Sequence, residues 1–225
     1  MYLSVKFKKL TVSASLTGGL LSLLIFIGCG YTPLILMAAF FVLGSSATSW
    51  RIKTKQALGL AEVNKEKRNA AQVIANAGVA AILGLIAYFF PLQKDILSLM
   101  IASGFSSATA DTLSSELGNI YGSKYYNIVT FKKDERGLNG VISIEGTLFG
   151  VAASVIISLL YTIGFGWNLK NIMIIIFAGT LGNIADSLIG ATAERRHIFN
   201  NDLVNFCNTL VASLVGLALY VIISI

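Results

Sequence analysis

Seven apolar runs, at residues 11–27, 31–50, 71–90, 96–118, 143–165, 172–193 and 203–225, constrain this chain before any motif does. Each is close to the ~20 residues with which a helix crosses a ~30 Å hydrocarbon core. Charged residues make up 12% of the 225 positions and hydrophobic ones 55%, whereas about a quarter of a soluble domain is charged. Mean hydropathy is +0.76. The runs are continuously apolar and rich in Gly and Ala, as packed membrane helices are, and lack the alternating ~10-residue segments of a membrane barrel. The expected fold is an all-α, polytopic bundle of about seven transmembrane spans forming a single domain over residues 1–225, since nothing between the runs is long enough for a separate core.

Basic residues orient the bundle. Of the 17 Lys and Arg, all but Lys94 and Lys170 fall on one side if the spans alternate. The positive-inside rule then predicts a cytoplasmic N-terminus and an outer C-terminus. The net charge of +6 is accounted for by this topology and by anionic lipid, with no nucleic-acid partner implied. Cys29 and Cys207 fall in different helical segments and read as small hydrophobes, not a disulfide. The single histidine, His197, reads as a surface residue beside Arg195 and Arg196.

The informative residues interrupt the apolar runs. Asp111, Glu116, Glu145 and Asp186 are carboxylates at membrane depth or its boundary, and each would cost a few kcal/mol if it faced lipid. At a rise of ~1.5 Å per residue, Asp111 lies about 22 Å along its run and Asp186 about 21 Å along a parallel one. Both reach the inner third. Ser45, Ser46 and Thr48, then Gln72 and Asn76, then Asn205 and Asn208 fall at the same level in neighbouring spans. Polar groups gathered in one leaflet point to a shared site. Asp111, Glu116 and Asp186 also lie toward the negative ends of their helix dipoles, where a carboxylate needs positive compensation. Carboxylates without His or Cys partners suit a hard cation such as Mg²⁺. A short echo, Ala110-Asp111-Thr112-Leu113 and Ala185-Asp186-Ser187-Leu188, accompanies the pair.

Two inner loops supply complementary charge. Residues 50–70 bring Lys53, Lys55, Lys65, Lys67 and Arg68 to the start of the third span, a combination of cations and helix N-terminus suited to phosphate. In the loop at 119–142, the β-branched and aromatic content of 125–131 suggests a short hairpin with 132–140 as its turn and return.

Four blocks resemble the phytyl-phosphate kinase family of integral membrane proteins, formerly grouped as a domain of unknown function. They are Gln72-Val73-Ile74-Ala75-Asn76-Ala77-Gly78-Val79-Ala80-Ala81, then Ala108-Thr109-Ala110-Asp111-Thr112-Leu113-Ser114-Ser115-Glu116-Leu117-Gly118, then Asn139-Gly140-Val141-Ile142-Ser143 with Gly146-Thr147, and Asp186-Ser187-Leu188-Ile189-Gly190-Ala191. The last is also distantly like the Asp-Ser motif of dolichol kinases. The resemblance implies phosphoryl transfer from a nucleoside triphosphate, CTP in relatives, to an isoprenoid monophosphate or alcohol at the cytoplasmic face. On that reading Asp111, Glu116 and Asp186 hold Mg²⁺, and Lys65, Lys67, Arg68, Lys132, Lys133 and Arg136 neutralise phosphate oxygens. Asn76, Asn139 and Asn183 then orient the acceptor or metal-bound water. Membrane lipid is the other expected partner, and the plasma membrane the expected location. An ion- or proton-coupled transporter is the alternative, although transporter sites usually lie nearer the midplane.

Overall fold

The computed structural model describes residues 9–60 and 67–224. Its long helices are α1 (Val12–Cys29), α2 (Tyr31–Ser49), α4 (Ala70–Phe89), α5 (Lys94–Tyr121), α6 (Ile144–Phe165), α7 (Leu169–Ile189) and α8 (Asn201–Ser224); a short helix, α3 (Ile52–Ala57), follows α2. Seven helical stretches among the described residues are long and apolar enough to cross a membrane, close to the predicted boundaries. The protein is a multi-pass integral membrane protein.

Local chemistry sets the starts of these helices. Thr11, Asn69, Ser143 and Asn168 each offer a side-chain oxygen to a backbone N–H of the first turn of α1, α4, α6 and α7, and Asn69 and Gln72 form a reciprocal capping box. Such caps satisfy donors that the helix leaves unpaired. Between α1 and α2 the chain turns at Gly30, whose φ of +81° favours glycine.

Helix α5 is the axis. Leu97 through Ala110 are buried on every side, as expected of a helix enclosed by others, and α2, α4, α6, α7 and α8 all pack on it. Its small residues admit close neighbours: a Cβ at Gly118 would stand 2.8 Å from Gly146 Cα of α6. Gly28 of α1 and Gly84 of α4 meet so closely that neither has room for a side chain. Close backbone approach is how membrane helices associate without a hydrophobic gradient.

One end of the bundle gathers the basic loops. There Leu10 bridges Arg68, Lys9 Nζ donates to Ser49 Oγ at 2.5 Å and Trp50 Nε1 donates to Tyr121 Oη at 2.9 Å. Lys94 and Lys170 lie at the opposite end, beside the starts of α5 and α7. The predicted hairpin is much shorter than expected. Among the described residues its strands are β1 (Tyr126–Asn127) and β2 (Val141–Ile142), antiparallel in the register Tyr126 to Ile142 and Asn127 to Val141, with a single antiparallel bridge from Tyr126 to Lys133 on the other side of β1. The reason is Asn127, whose Oδ1 accepts from the N–H groups of Val129 and Thr130, both at 3.0 Å, and turns the chain at once.

Candidate functional site: a carboxylate pair at the basic end

Helices α5 and α7 run in the same direction and pack together, so residues at equal distance along them meet. Asp111 and Asp186 do meet: their half-buried carboxyl groups share a hydrogen bond. Asn208 Nδ2 of α8 donates to Asp186 Oδ2 at 3.2 Å, and Asn208 Oδ1 accepts from Ser107 Oγ of α5. That chain fixes the amide orientation, leaving Asp186 an oriented acceptor. Ser114 Oγ donates to Asn183 Oδ1 at 3.3 Å beside the pair. Two carboxylates in contact require a positive charge between them, either a proton or a metal ion.

The pair opens into a cavity of about 200 Å³ between α5, the start of α6, α7 and the loop at 137–143. Asn139, Ser143, Thr147, Asn183 and Glu194 add oxygen or amide groups to its wall. Sequence reasoning missed Glu194. On a regular α-helix it would stand roughly 80° round from Asp186. Gly190–Glu194 instead forms a π turn, whose under-winding returns Glu194 to the cavity. The sequence marks Asn208 only as a polar residue of the same layer; its link to Asp186 crosses between helices, and no spacing reveals that.

The loop is clamped over the cavity. Arg195 Nε donates to Asn139 O at 2.6 Å and its Nη2 to Asp134 Oδ2 at 2.7 Å. The Arg195 guanidinium, with the Glu135 N–H, holds the Asp134 carboxyl below its ordinary range. Gly140, with φ +71°, lies directly against Ala191 and leaves no room for a side chain.

Several predicted residues stand elsewhere. Glu116, expected beside the aspartates, lines no part of this cavity and pairs with Lys55 Nζ at 2.5 Å. That ammonium also donates to Ala47 O at 2.8 Å and Thr48 O at 3.2 Å. Lys55, 2% exposed, thereby closes the C-terminal end of α2, and five residues of helical rotation explain why Glu116 leaves the Asp111 face. Asn76 Nδ2 bonds back to Gln72 O at 2.9 Å. Glu145 accepts from Ser123 N at 3.1 Å and Ser123 Oγ at 2.6 Å, which ties the end of α5 to the start of α6. Arg136 Nη1 reaches Asn119 O at 3.3 Å and lies over the Tyr125 ring. Lys67, Lys132 and Lys133 are exposed. Arg68 lies 5.0 Å over the Phe40 ring; burial lowers its pKa from the ordinary value, with Glu116 opposing the shift. Lys65 lies outside the described residues. Both cysteines are free, and His197 is exposed.

Hard oxygen donors suit Mg²⁺, and Asp111 and Asp186, with Glu194 and the Asn183 amide beside them, are of that kind. Among the described residues no group of three or more His, Cys, Asp or Glu forms a ready-made metal cage. A partial site of two carboxylates is what Mg²⁺ usually takes, with water and phosphate completing its shell.

Residues 1–213 match the family described as "Integral membrane protein DUF92". "Uncharacterized membrane protein MJ0933" of Methanocaldococcus jannaschii is 36% identical over 192 residues, which are 85% of this chain and 78% of that one. "Protein VTE6, chloroplastic" of Arabidopsis thaliana is 32% identical over 194 residues, 84% of this chain but only 58% of its own length. "Uncharacterized membrane protein sll0875" of a Synechocystis strain is 32% identical over 204 residues, 88% and 78% of the two chains. No solved structure matches. With the family model covering nearly its whole length, the chain belongs to the integral membrane family DUF92.

Proposed function

We propose that this protein is a membrane-embedded kinase that transfers a phosphoryl group from a nucleoside triphosphate, CTP foremost, to an isoprenoid monophosphate or alcohol at the cytoplasmic face. The observation that carries this reading is the contact between Asp111 and Asp186 at the head of a small polar cavity on the basic end. The four sequence blocks that resemble phytyl-phosphate kinases support it, since three of them, at 108–118, 139–147 and 186–191, line that cavity.

A volume near 200 Å³ is below the roughly 300–1,000 Å³ of pockets that enclose a whole ligand. It suits phosphate groups, with the nucleoside left outside. Asp111 and Asp186 would hold Mg²⁺, with Asn183 and Glu194 beside them, and the metal would shield charge on the transferring phosphate. Asn208 orients Asp186, and the Arg195 clamp holds Asn139 at the cavity wall. Lys132 and Lys133, exposed on the clamped loop, meet outer phosphate oxygens, and Lys67 and Arg68 add positive potential at the same end. In transfer, the bond from the γ-phosphorus to its bridging oxygen breaks and one to the acceptor oxygen forms, leaving a nucleoside diphosphate. A monophosphate acceptor is already anionic and releases no proton; an alcohol releases one. Glu116 serves by position: it holds Lys55 and so the end of α2.

A proton- or ion-coupled transporter is the second reading. It is favoured by buried hydroxyls that continue from Ser107 along α5, where Ser106 and neighbouring Ser154 have no hydrogen-bond partner. The two readings separate in one screen of the purified protein, with labelled CTP, ATP, GTP and UTP offered against prenyl alcohols and monophosphates. The kinase reading expects a phosphorylated lipid, and loss of Mg²⁺-dependent nucleotide binding in Asp111→Asn and Asp186→Asn. No product from any pair, together with gradient-driven uptake in liposomes, would establish transport instead.

A further inference from the structure

A second cavity lies apart from the carboxylates. Helix α1 packs along α4 far more than along α2, although α1 and α2 are joined directly. Between them remains a cleft of about 450 Å³, floored by α4 and walled by Gly18, Ser22, Met37, Phe41, Val73 and Ala77. Small residues occupy positions where a tightly packed pair would interlock, and α1 and α2 otherwise expose Leu20, Leu23 and Val42, as helices facing lipid do. Its charge is confined to one end, where Lys9, Arg68 and Gln72 close the apolar walls. Arg68 is set there deliberately by shape: a Cβ at Gly44 would come within 2.8 Å of its Nη2 and 3.4 Å of the Thr112 methyl group. Thr112 follows Asp111 on α5, so the charged end of the cleft stands at the depth of the carboxylate pair, on the adjoining face of the same helix.

An apolar slot of this size with two cations at one end is complementary to an amphiphile with a single chain and an anionic head. We infer that this cleft is the acceptor site, holding the chain of an isoprenoid monophosphate between α1 and α2 with its phosphate at Lys9 and Arg68. The assignment of the occupant as an acceptor rests on the kinase reading; its binding does not. A lipid phosphate at this end enters at the depth of the reacting groups while its chain never leaves an apolar environment.

The test is equilibrium binding of prenyl monophosphates of graded chain length, and of the matching alcohols, to the full chain in detergent. Gly18→Leu fills the cleft without a backbone clash, since a Cβ there meets only Val73 Cγ1 at 3.7 Å. It should weaken the longest monophosphate about tenfold, the effect of two methylenes denied burial, and the shortest far less, while Mg²⁺-nucleotide binding is unchanged. Ala38→Leu, on the opposite wall, should act in the same direction. Lys9→Gln should weaken monophosphates and leave alcohols unaffected. Wild-type affinity for every chain length in both cleft-filling variants would overturn the inference, as would equal binding of monophosphates and alcohols to the wild type. Loss of a co-purified phospholipid from Gly18→Leu with prenyl monophosphate binding intact would also overturn it, and would give the cleft to bilayer lipid. If the kinase reading alone is wrong, chain-length-dependent binding persists without turnover.

Discussion

Replacing Glu116 with Gln separates a structural lock from a metal ligand. The Lys55 ammonium has three acceptors, Glu116 Oε2 at 2.5 Å, Ala47 O at 2.8 Å and Thr48 O at 3.2 Å. Its side chain is 2% exposed and that of Glu116 26%. Removing one partner of a buried ion pair costs roughly 3–5 kcal/mol because the other charge is stranded. Two carbonyls still solvate Lys55 and Glu116 is partly in water, so Glu116→Gln should cost about 3 kcal/mol, the lower end of that range. Lys55→Met should cost a similar amount, since it strands the Glu116 carboxylate and removes the ammonium donor to Ala47 O and Thr48 O. The double variant should fall short of the summed costs by about 1 kcal/mol or more, the signature of direct coupling. Reversible unfolding of the four proteins in mixed micelles measures the cycle, and Mg²⁺-dependent nucleotide binding is read in parallel. A Glu116→Gln protein of wild-type stability that has lost metal-dependent binding would refute the lock and restore Glu116 to the metal.

Three further outcomes follow from the geometry. Arg195 holds the folded Asp134 pKa below its unfolded value; the clamp's contribution is therefore full above the unfolded Asp value of about 4 and is lost as pH falls through the lower folded value. The protection of amides 132–140 relative to their intrinsic exchange rate at each pH should accordingly stay high at neutral pH and fall only in that acid window, whereas Asp134→Asn should lower it at every pH. Gly28→Ala drives a Cβ into the Gly84 backbone and should destabilise the protein by about 1–3 kcal/mol, the usual cost of overpacking, in the same unfolding assay; an unchanged midpoint would contradict the α1–α4 contact. Single cysteines at 133 and 170 should label from opposite faces of the membrane, with 133 cytoplasmic, and labelling of both from one face would undo the topology.

The sequence by itself determined the membrane class, the number of spans and the partition of basic residues between two ends. Those properties depend on runs of side chains long enough to cross lipid, and solvation acts on each run separately. It also placed Asp111 and Asp186 at one depth, because parallel helices of known rise convert residue number into depth; their contact depends on which faces of α5 and α7 pack together. Only tertiary structure decided the rest of the site. Glu116 stands outside the cavity because α3 folds back and delivers Lys55 to it, and Glu194 lines the cavity because a π turn changes the helical phase. Asn208 reached Asp186 across a helix interface, and Arg195 drew the 132–140 loop over the cavity. The contacts of Glu116, Asn208 and Arg195 join segments far apart in the chain, fixed by which faces pack together, and packing against a neighbouring helix leaves no local pattern in the residues that undergo it.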